Sequence, residues 1–187
     1  MPRTPHAGHR SSEESPFLYL LRTVRPMSGR QRPLVLVKDC VIIADEWTLV
    51  GEGPARPGLI APLDAWLDAP DGAGVWVDGS AEVQEVAPQI LGAPVVAVHF
   101  PAFADGRGLS FGRLLRERYG YGGELRAFGE IVPDLTEYMH RCGFDAFVLA
   151  DRRQAEVAIA CIERMSDHYQ GSFRQPRPPY LRTAVCA

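Results

Sequence analysis

Three stretches of this sequence place charged and hydroxyl side chains directly behind apolar, β-rich runs. Asp105, Gly106, Arg107, Gly108 and Ser110 follow Val95–Phe100; Glu130 and Asp134 follow Glu124–Gly129; Asp151, Arg152 and Arg153 follow Phe144–Ala150. Ligands of parallel α/β proteins gather at the carboxyl ends of strands, so chain order alone puts this set, with Arg126, on one rim. Carboxylates so placed have the chemistry to hold Mg²⁺. An arginine ahead of a helix starting at Ser110 suits a small oxyanion, which the helix N-terminus and the guanidinium would share. The plainer reading makes Ser110 and Asp134 helix caps and leaves Arg107 in a loop ion pair.

Other chemistries find little footing. Gly106-x-Gly108-x-x-x-Gly112 resembles a dinucleotide loop, but Pro101–Asp105 separate it from the strand and Arg107 stands where close backbone approach is needed. Lys38 is the single lysine and lies in no phosphate-binding loop. The four cysteines, Cys40, Cys142, Cys161 and Cys186, form no C-x-x-C pair, so zinc and iron–sulfur spacings are missing and free thiols in a reducing compartment are expected. Cys161 shares a helical face with Ala158, Ile162 and Met165 and is expected in the core, as is Cys142 before Gly143. His99 alternates within an apolar strand and is read as a hydrogen-bonded core residue; His140, near a helix end, complements the dipole. The sequence presents no Ser-His-Asp or Cys-His arrangement, and no redox cofactor or metal is expected.

The elements that must position the rim are read from periodicity. Pro33–Asp45 is expected to form two strands turning at Lys38-Asp39. Five β-α units follow: Gly58–Pro62 with a helix from Leu63; Gly74–Asp78 with a helix capped by Ser80; Val95–Phe100 with a helix from about Ser110 to Tyr119; Glu124–Gly129 with a helix capped by Asp134; and Phe144–Ala150 with Arg152–Tyr169. Gly143 supplies a C-terminal glycine stop for the fourth helix. The fold class is α/β, a parallel sheet that is open or a partial barrel, since five units fall short of a full one.

The 187 residues, 46% hydrophobic and 23% charged, fit one domain of 33–170 between a basic extension (1–32) and a Pro/Arg-rich tail (171–187). The net charge of −3 conceals +4 on 1–32, −10 on 33–170 and +3 on 171–187. An acidic body disfavours nucleic acid as the main ligand, because phosphate contacts need a cationic surface. The apolar run Phe17–Leu21 is too short for a membrane span or signal core, so a cytoplasmic location is expected.

Four motifs carry a family resemblance. They are Phe100-Pro-Ala-Phe-Ala-Asp-Gly-Arg-Gly-Leu-Ser110, Arg113-Leu-Leu-Arg-Glu-Arg-Tyr-Gly-Tyr121, Gly123-Glu-Leu-Arg-Ala127 and Arg141-Cys-Gly-Phe-Asp-Ala-Phe147. Over residues 34–170 the chain resembles a bacterial family of unknown function labelled as an oxidoreductase of sulfite reduction, a label drawn from genes beside assimilatory sulfite reductase. The resemblance implies a place in sulfur assimilation, with sulfite reductase as a partner and a small oxyanion as ligand. Where that family reads G-D-V-L-R-D-Q, this chain has Gly129–Leu135, with Pro133 and Leu135 in place of its Arg and Gln. Two roles follow: an accessory protein presenting an oxyanion through Arg107 and Arg126, or a stand-alone enzyme working through the rim carboxylates.

Overall fold

The structure, a computed structural model, describes residues 34–70 and 72–182. The basic extension 1–32, its run Phe17–Leu21 and Cys186 lie outside the described residues. Strands β1 (Val35–Lys38) and β2 (Val41–Ile43) form the expected antiparallel hairpin. Its turn is centred on Asp39 and Cys40, one residue beyond the expected pair, with φ of 47° and 62°. Two successive left-handed residues match the twist of a tight hairpin.

The chain continues through a two-residue strand β3 (Thr48–Leu49), too short to leave a sequence signal, and then β4 (Leu59–Pro62), α1 (Leu63–Asp68), β5 (Gly74–Asp78), α2 (Val83–Ile90), β6 (Val95–Phe100) and α3 (Arg107–Glu117). It ends with β7 (Glu124–Gly129), a 3₁₀ turn (Pro133–Leu135), α4 (Thr136–Arg141), β8 (Ala146–Leu149), α5 (Arg152–Glu163) and the short α6 (Pro179–Arg182). All eight strands join one sheet in the order β2-β1-β8-β7-β6-β5-β4-β3. From β3 to β8 each strand is parallel to its predecessor, whereas β1 runs antiparallel to both β2 and β8. The result is a curled half-barrel of α/β class, with 95–100, 124–129 and the β8 run as parallel neighbours.

Strand-by-strand addition on one side sends every crossover helix to the same face. Side chains alternate accordingly. Val75, Val77, Val96, Val98, Phe100, Leu125, Ala127, Phe147 and Leu149 pack under the helices with Ile90, Phe111, Leu115, Met139, Phe144 and Ile162. The opposite, concave face carries a smaller cluster, Ile60, Val95, Ala97 and Phe128, flanked by Trp47, Leu49, Trp76 and Val148. The register runs a row of side chains across this face from Ile43 through Leu36, Val148, Phe128 and His99 to Asp78. A neighbouring row holds Lys38, Ala146, Arg126, Ala97 and Trp76.

At the amino end of the parallel strands, polar groups are tied into one knot. Arg116 from α3 is 7% exposed. Its Nε donates to the Gly143 carbonyl (3.0 Å), Nη1 to the carbonyls of Tyr121 (2.5 Å) and Gly123 (2.8 Å), and Nη2 to Asp145 Oδ2 (2.6 Å). Asp145 Oδ1 accepts from Leu125 N–H at 2.8 Å, and the Tyr121 hydroxyl donates to Ala93 O at 2.9 Å. Burial pushes the Asp145 carboxyl up, and Arg116 beside it pulls the other way.

Several helix boundaries differ from the sequence reading. Ser80 caps no helix; its hydroxyl turns back to Asp78, and α2 starts at Val83 without a side-chain cap. Helix α3 starts at Arg107, because Gly108 packs against Phe100 and the chain enters the helix at once, so Ser110 is inside it. Asp134 lies in the 3₁₀ turn and gives α4 no cap; its Oδ1 accepts from Cys161 Sγ at 3.6 Å instead. Helix α5 stops at Glu163, leaving Met165 54% exposed and Cys161 half-buried rather than in the core. Cys142 is buried, and Gly143 closes α4 with φ of 101°. Past residue 170 the chain stays on the domain: Phe173 N–H donates to Arg141 O, and Arg174 donates to the carbonyls of His140 and Phe144.

Candidate functional site at the carboxyl rim

The rim begins where β5 and β6 end. Asp78 Oδ1 accepts both the backbone N–H (2.8 Å) and the hydroxyl (2.5 Å) of Ser80. Its Oδ2 lies 3.4 Å from His99 Nδ1. Burial raises the Asp78 carboxyl, but the bonds from Ser80 and His99 outweigh it and hold the group below the usual carboxylate range. His99 is 3% exposed. Burial pushes its imidazole down, offset in part by Asp78 and Glu130, so the ring is neutral at pH 7. Phe128 tilts against it at 5.1 Å between ring centroids, and Trp76 meets it edge-on at 6.3 Å. Sequence reasoning missed Asp78 altogether. The signal was present: a carboxylate ending one apolar strand, and an imidazole next to the end of the following strand with matching face parity.

Two glycines bring the backbone close to this pair. A Cβ on Gly79 would lie 2.8 Å from His99 O and 3.0 Å from Gly108 Cα, so only glycine lets the first turn of α3 press onto the end of β5. Gly129 has φ of 106°, and a Cβ there would lie 3.0 Å from His99 Cδ2. The α3 N-terminus, the Asp78–Ser80 turn and the His99 ring are thereby neighbours.

Of the sequence-predicted residues, the structure joins Asp105 with Arg107. Arg107 Nε and Nη2 donate to the two Asp105 oxygens at 2.9 and 2.6 Å, and Arg107 N–H adds a third bond at 3.1 Å. The guanidinium holds the Asp105 carboxyl down to about 2. Arg107 keeps 65% of its side chain exposed, and Phe103 on the same loop is 62% exposed. Ser110 is exposed on α3. Glu130, half-buried, is fixed through its N–H to Phe100 O at 2.8 Å. Asp151 caps α5 by accepting from Gln154 N–H at 2.9 Å. Among the described residues no ion pair links Arg107 to Glu130 or Asp134.

Arg126 is not on the rim. It is 1% exposed, in the middle of the concave face, with Nε 2.8 Å from Glu124 Oε1 and Nη1 2.7 Å from Asp45 Oδ2. Nη2 also stands 2.7 Å from Glu124 Oε1, but off-line for a hydrogen bond. Lys38 completes the cluster at 2.8 Å from the other Glu124 oxygen. Two carboxylates compensate the charge of this arginine, as burial of a guanidinium requires, and among the described residues no hydrogen bond links it to Arg107. Among the described residues no group of three His, Cys, Asp or Glu side chains is arranged to hold a metal. No described helix is long and apolar enough to cross a membrane.

The chain is an α/β protein, a singly wound half-barrel with one helix-covered face, and its carboxyl edge of strand ends and loops is where ligands of parallel α/β proteins gather. Residues 74–180 match the profile of a family described as a bacterial protein of unknown function (DUF934), and the chain belongs to that family. The match begins at β5 and runs through the segment after residue 170. No curated protein and no solved structure matches the chain.

Proposed function

We propose that this chain is an accessory, oxyanion-binding protein of assimilatory sulfite reduction, acting through its carboxyl rim and engaging sulfite reductase there. The observation that supports this reading is Arg107: a guanidinium oriented by Asp105, two-thirds open to solvent, at the first residue of an eleven-residue helix. Arginine and a helix N-terminus favour a small oxyanion for the same electrostatic reason. Phe103 on the same loop gives a partner an aromatic anchor. The test has two arms. A deletion strain should grow on cysteine but not on sulfate, and Arg107→Ala should fail to restore growth on sulfate. Purified wild type should bind sulfite by calorimetry and Arg107→Ala should not. Sulfate-dependent growth of the deletion strain at the wild-type rate sinks the reading.

The Asp78–His99 pair favours a second reading: a stand-alone enzyme acting on a small molecule by acid–base chemistry at the same rim. The neutral, shielded imidazole braced by a carboxylate is the observation behind it.

A further inference from the structure

The second reading acquires definite residues and a substrate class from the concave face. We infer that His99 and Asp78 form a proton-transfer pair for a small planar substrate that carries an ionisable N–H or O–H and no negative charge. The inference rests on the acid–base reading of the rim, not on the oxyanion reading.

His99 lies on the concave face, away from the helix-covered core, between Phe128 and Asp78 in the row that starts at Ile43. Its Nδ1 faces Asp78, and its Nε2 makes no hydrogen bond among the described residues. The Cδ2 edge packs against Gly129, where a Cβ would lie 3.0 Å from Cδ2, so the glycine backbone holds the ring in place with Nε2 beside it. A neutral imidazole whose Nδ1–H is directed at a carboxylate leaves Nε2 with its lone pair, the acceptor form a general base needs. On taking a proton at Nε2 the ring becomes an imidazolium, and Asp78, already fixed by two bonds from Ser80, stabilises that charge. The step balances with no further reagent: the substrate N–H or O–H bond breaks, its electron pair stays on the substrate, and the proton resides on Nε2 until it is returned.

The surroundings select the substrate. Trp76, half-buried, and Phe128 flank the nearly inaccessible His99 on this face, so a flat apolar body has aromatic walls to meet. Asp78 and Glu130 both act on His99 as negative charges. Two carboxylates beside the proton acceptor repel an anion, and Arg107 is already committed to Asp105. An oxyanion therefore belongs at the outer face of Arg107, and a neutral planar molecule belongs at His99.

The experiment uses the full chain and phenol as probe. Phenol, titrated to millimolar concentration, should shift the His99 ring and Trp76 indole NMR resonances, and sulfite at the same concentration should not. His99→Asn keeps an amide N–H to offer Asp78 but removes Nε2. It should fold, lose at least tenfold of the sulfate-dependent growth rate restored by wild type, and Asp78→Asn should do the same. Phenol leaving both resonances unmoved overturns the inference, even if His99→Asn fails to fold. Sulfite shifting the His99 ring in place of phenol overturns the substrate class. Loss of growth in Arg107→Ala with full growth in His99→Asn leaves the accessory reading standing and removes this one; the reverse pattern removes the accessory reading alone.

Discussion

The two ends of the parallel sheet are built on opposite principles. At the amino end, Arg116 donates four hydrogen bonds, and Asp145, Tyr121, Gly123 and Gly143 absorb them. Every guanidinium nitrogen has a partner, and the cation also lies 5.2 Å from the Tyr121 ring centroid. At the carboxyl end, Arg107 is mostly in solvent, Phe103 is exposed, and His99 has one nitrogen engaged and one with no described partner. A saturated network cannot bind anything without first breaking itself; an open one can. Three of the four sequence motifs, those around Arg116, Gly123 and Gly143, therefore report on folding. The motif from Phe100 to Ser110 holds the open end, although Gly108 within it serves packing against Phe100.

The sharpest break in this contrast comes from Arg116. Arg116→Met removes the cation and leaves Asp145 buried and uncompensated, which costs about 3–5 kcal/mol. Chemical denaturation should show that loss, and Arg116→Met/Asp145→Asn should recover part of it because the orphaned charge is gone. Equal stability in wild type and Arg116→Met would dissolve the distinction between the two ends.

Next in size is the glycine wedge. A Cβ on Gly112 would overlap the Phe144 ring, which has no room to move in the core. Gly112→Ala should cost about 1–3 kcal/mol by overpacking. Gly106→Ala, where a Cβ meets only Leu109 Cδ1 at 3.8 Å, should cost far less, since Gly106 has φ of −83°. Thermal melts of the two variants rank the amino-side packing above the rim loop.

A smaller effect concerns pH. Burial, followed by the charge of Arg174, pushes the His140 imidazole down to about 4. The unfolded chain holds a proton there below about pH 6.5, and the folded chain does not, so the unfolded state binds more protons between those values. Stability is complete above about 6.5 and declines as pH falls toward 4. His99, also depressed by burial, adds to the same slope. His140→Gln should flatten the melting-temperature curve across that window; an unchanged slope would remove His140 as its source.

Periodicity made the sheet legible because βα alternation leaves a strong signal: continuous apolar strands, amphipathic helices, and glycines where chains turn. The N-terminal hairpin and five units came through, with β3 missed because two residues carry no period. The site was less legible. Asp105 and Arg107 were found as neighbours in sequence, and they are partners in space. Arg126 was misplaced because position along a strand does not show that Asp45, 81 residues away, will cross the concave face to neutralise it. Ser80 and Asp134 were read as caps from residue type, yet each found a different partner nearby. Asp78 and His99 were separable from core residues only once strand register put them side by side.

Arg107 is expected to combine the smallest structural effect with the loss of sulfite binding that the proposed function calls for. Arg107 forms its ion pair with Asp105 across two residues of exposed loop, and pairs of that kind contribute about 0–1 kcal/mol. Arg107→Ala should therefore melt within about a degree or two of wild type. Its signature lies elsewhere. The guanidinium is the main cause of the depressed Asp105 carboxyl, so removing it should return Asp105 from about 2 toward the ordinary aspartate range, measurable by carboxyl NMR titration. Asp105 contributes stability above the ordinary value that is lost as pH falls through about 2, and the variant, with that depression gone, should lack this small contribution. Sulfite binding should vanish in the same variant. Arg107→Lys separates charge from geometry, because an ammonium keeps the sign but cannot hold Asp105 with two parallel bonds. If Arg107→Lys binds sulfite as wild type does, the rim works as a charged patch. If it binds no better than Arg107→Ala, the fork fixed by Asp105 is what the carboxyl end was built to display, and the open end of the sheet is as specifically shaped as the closed one.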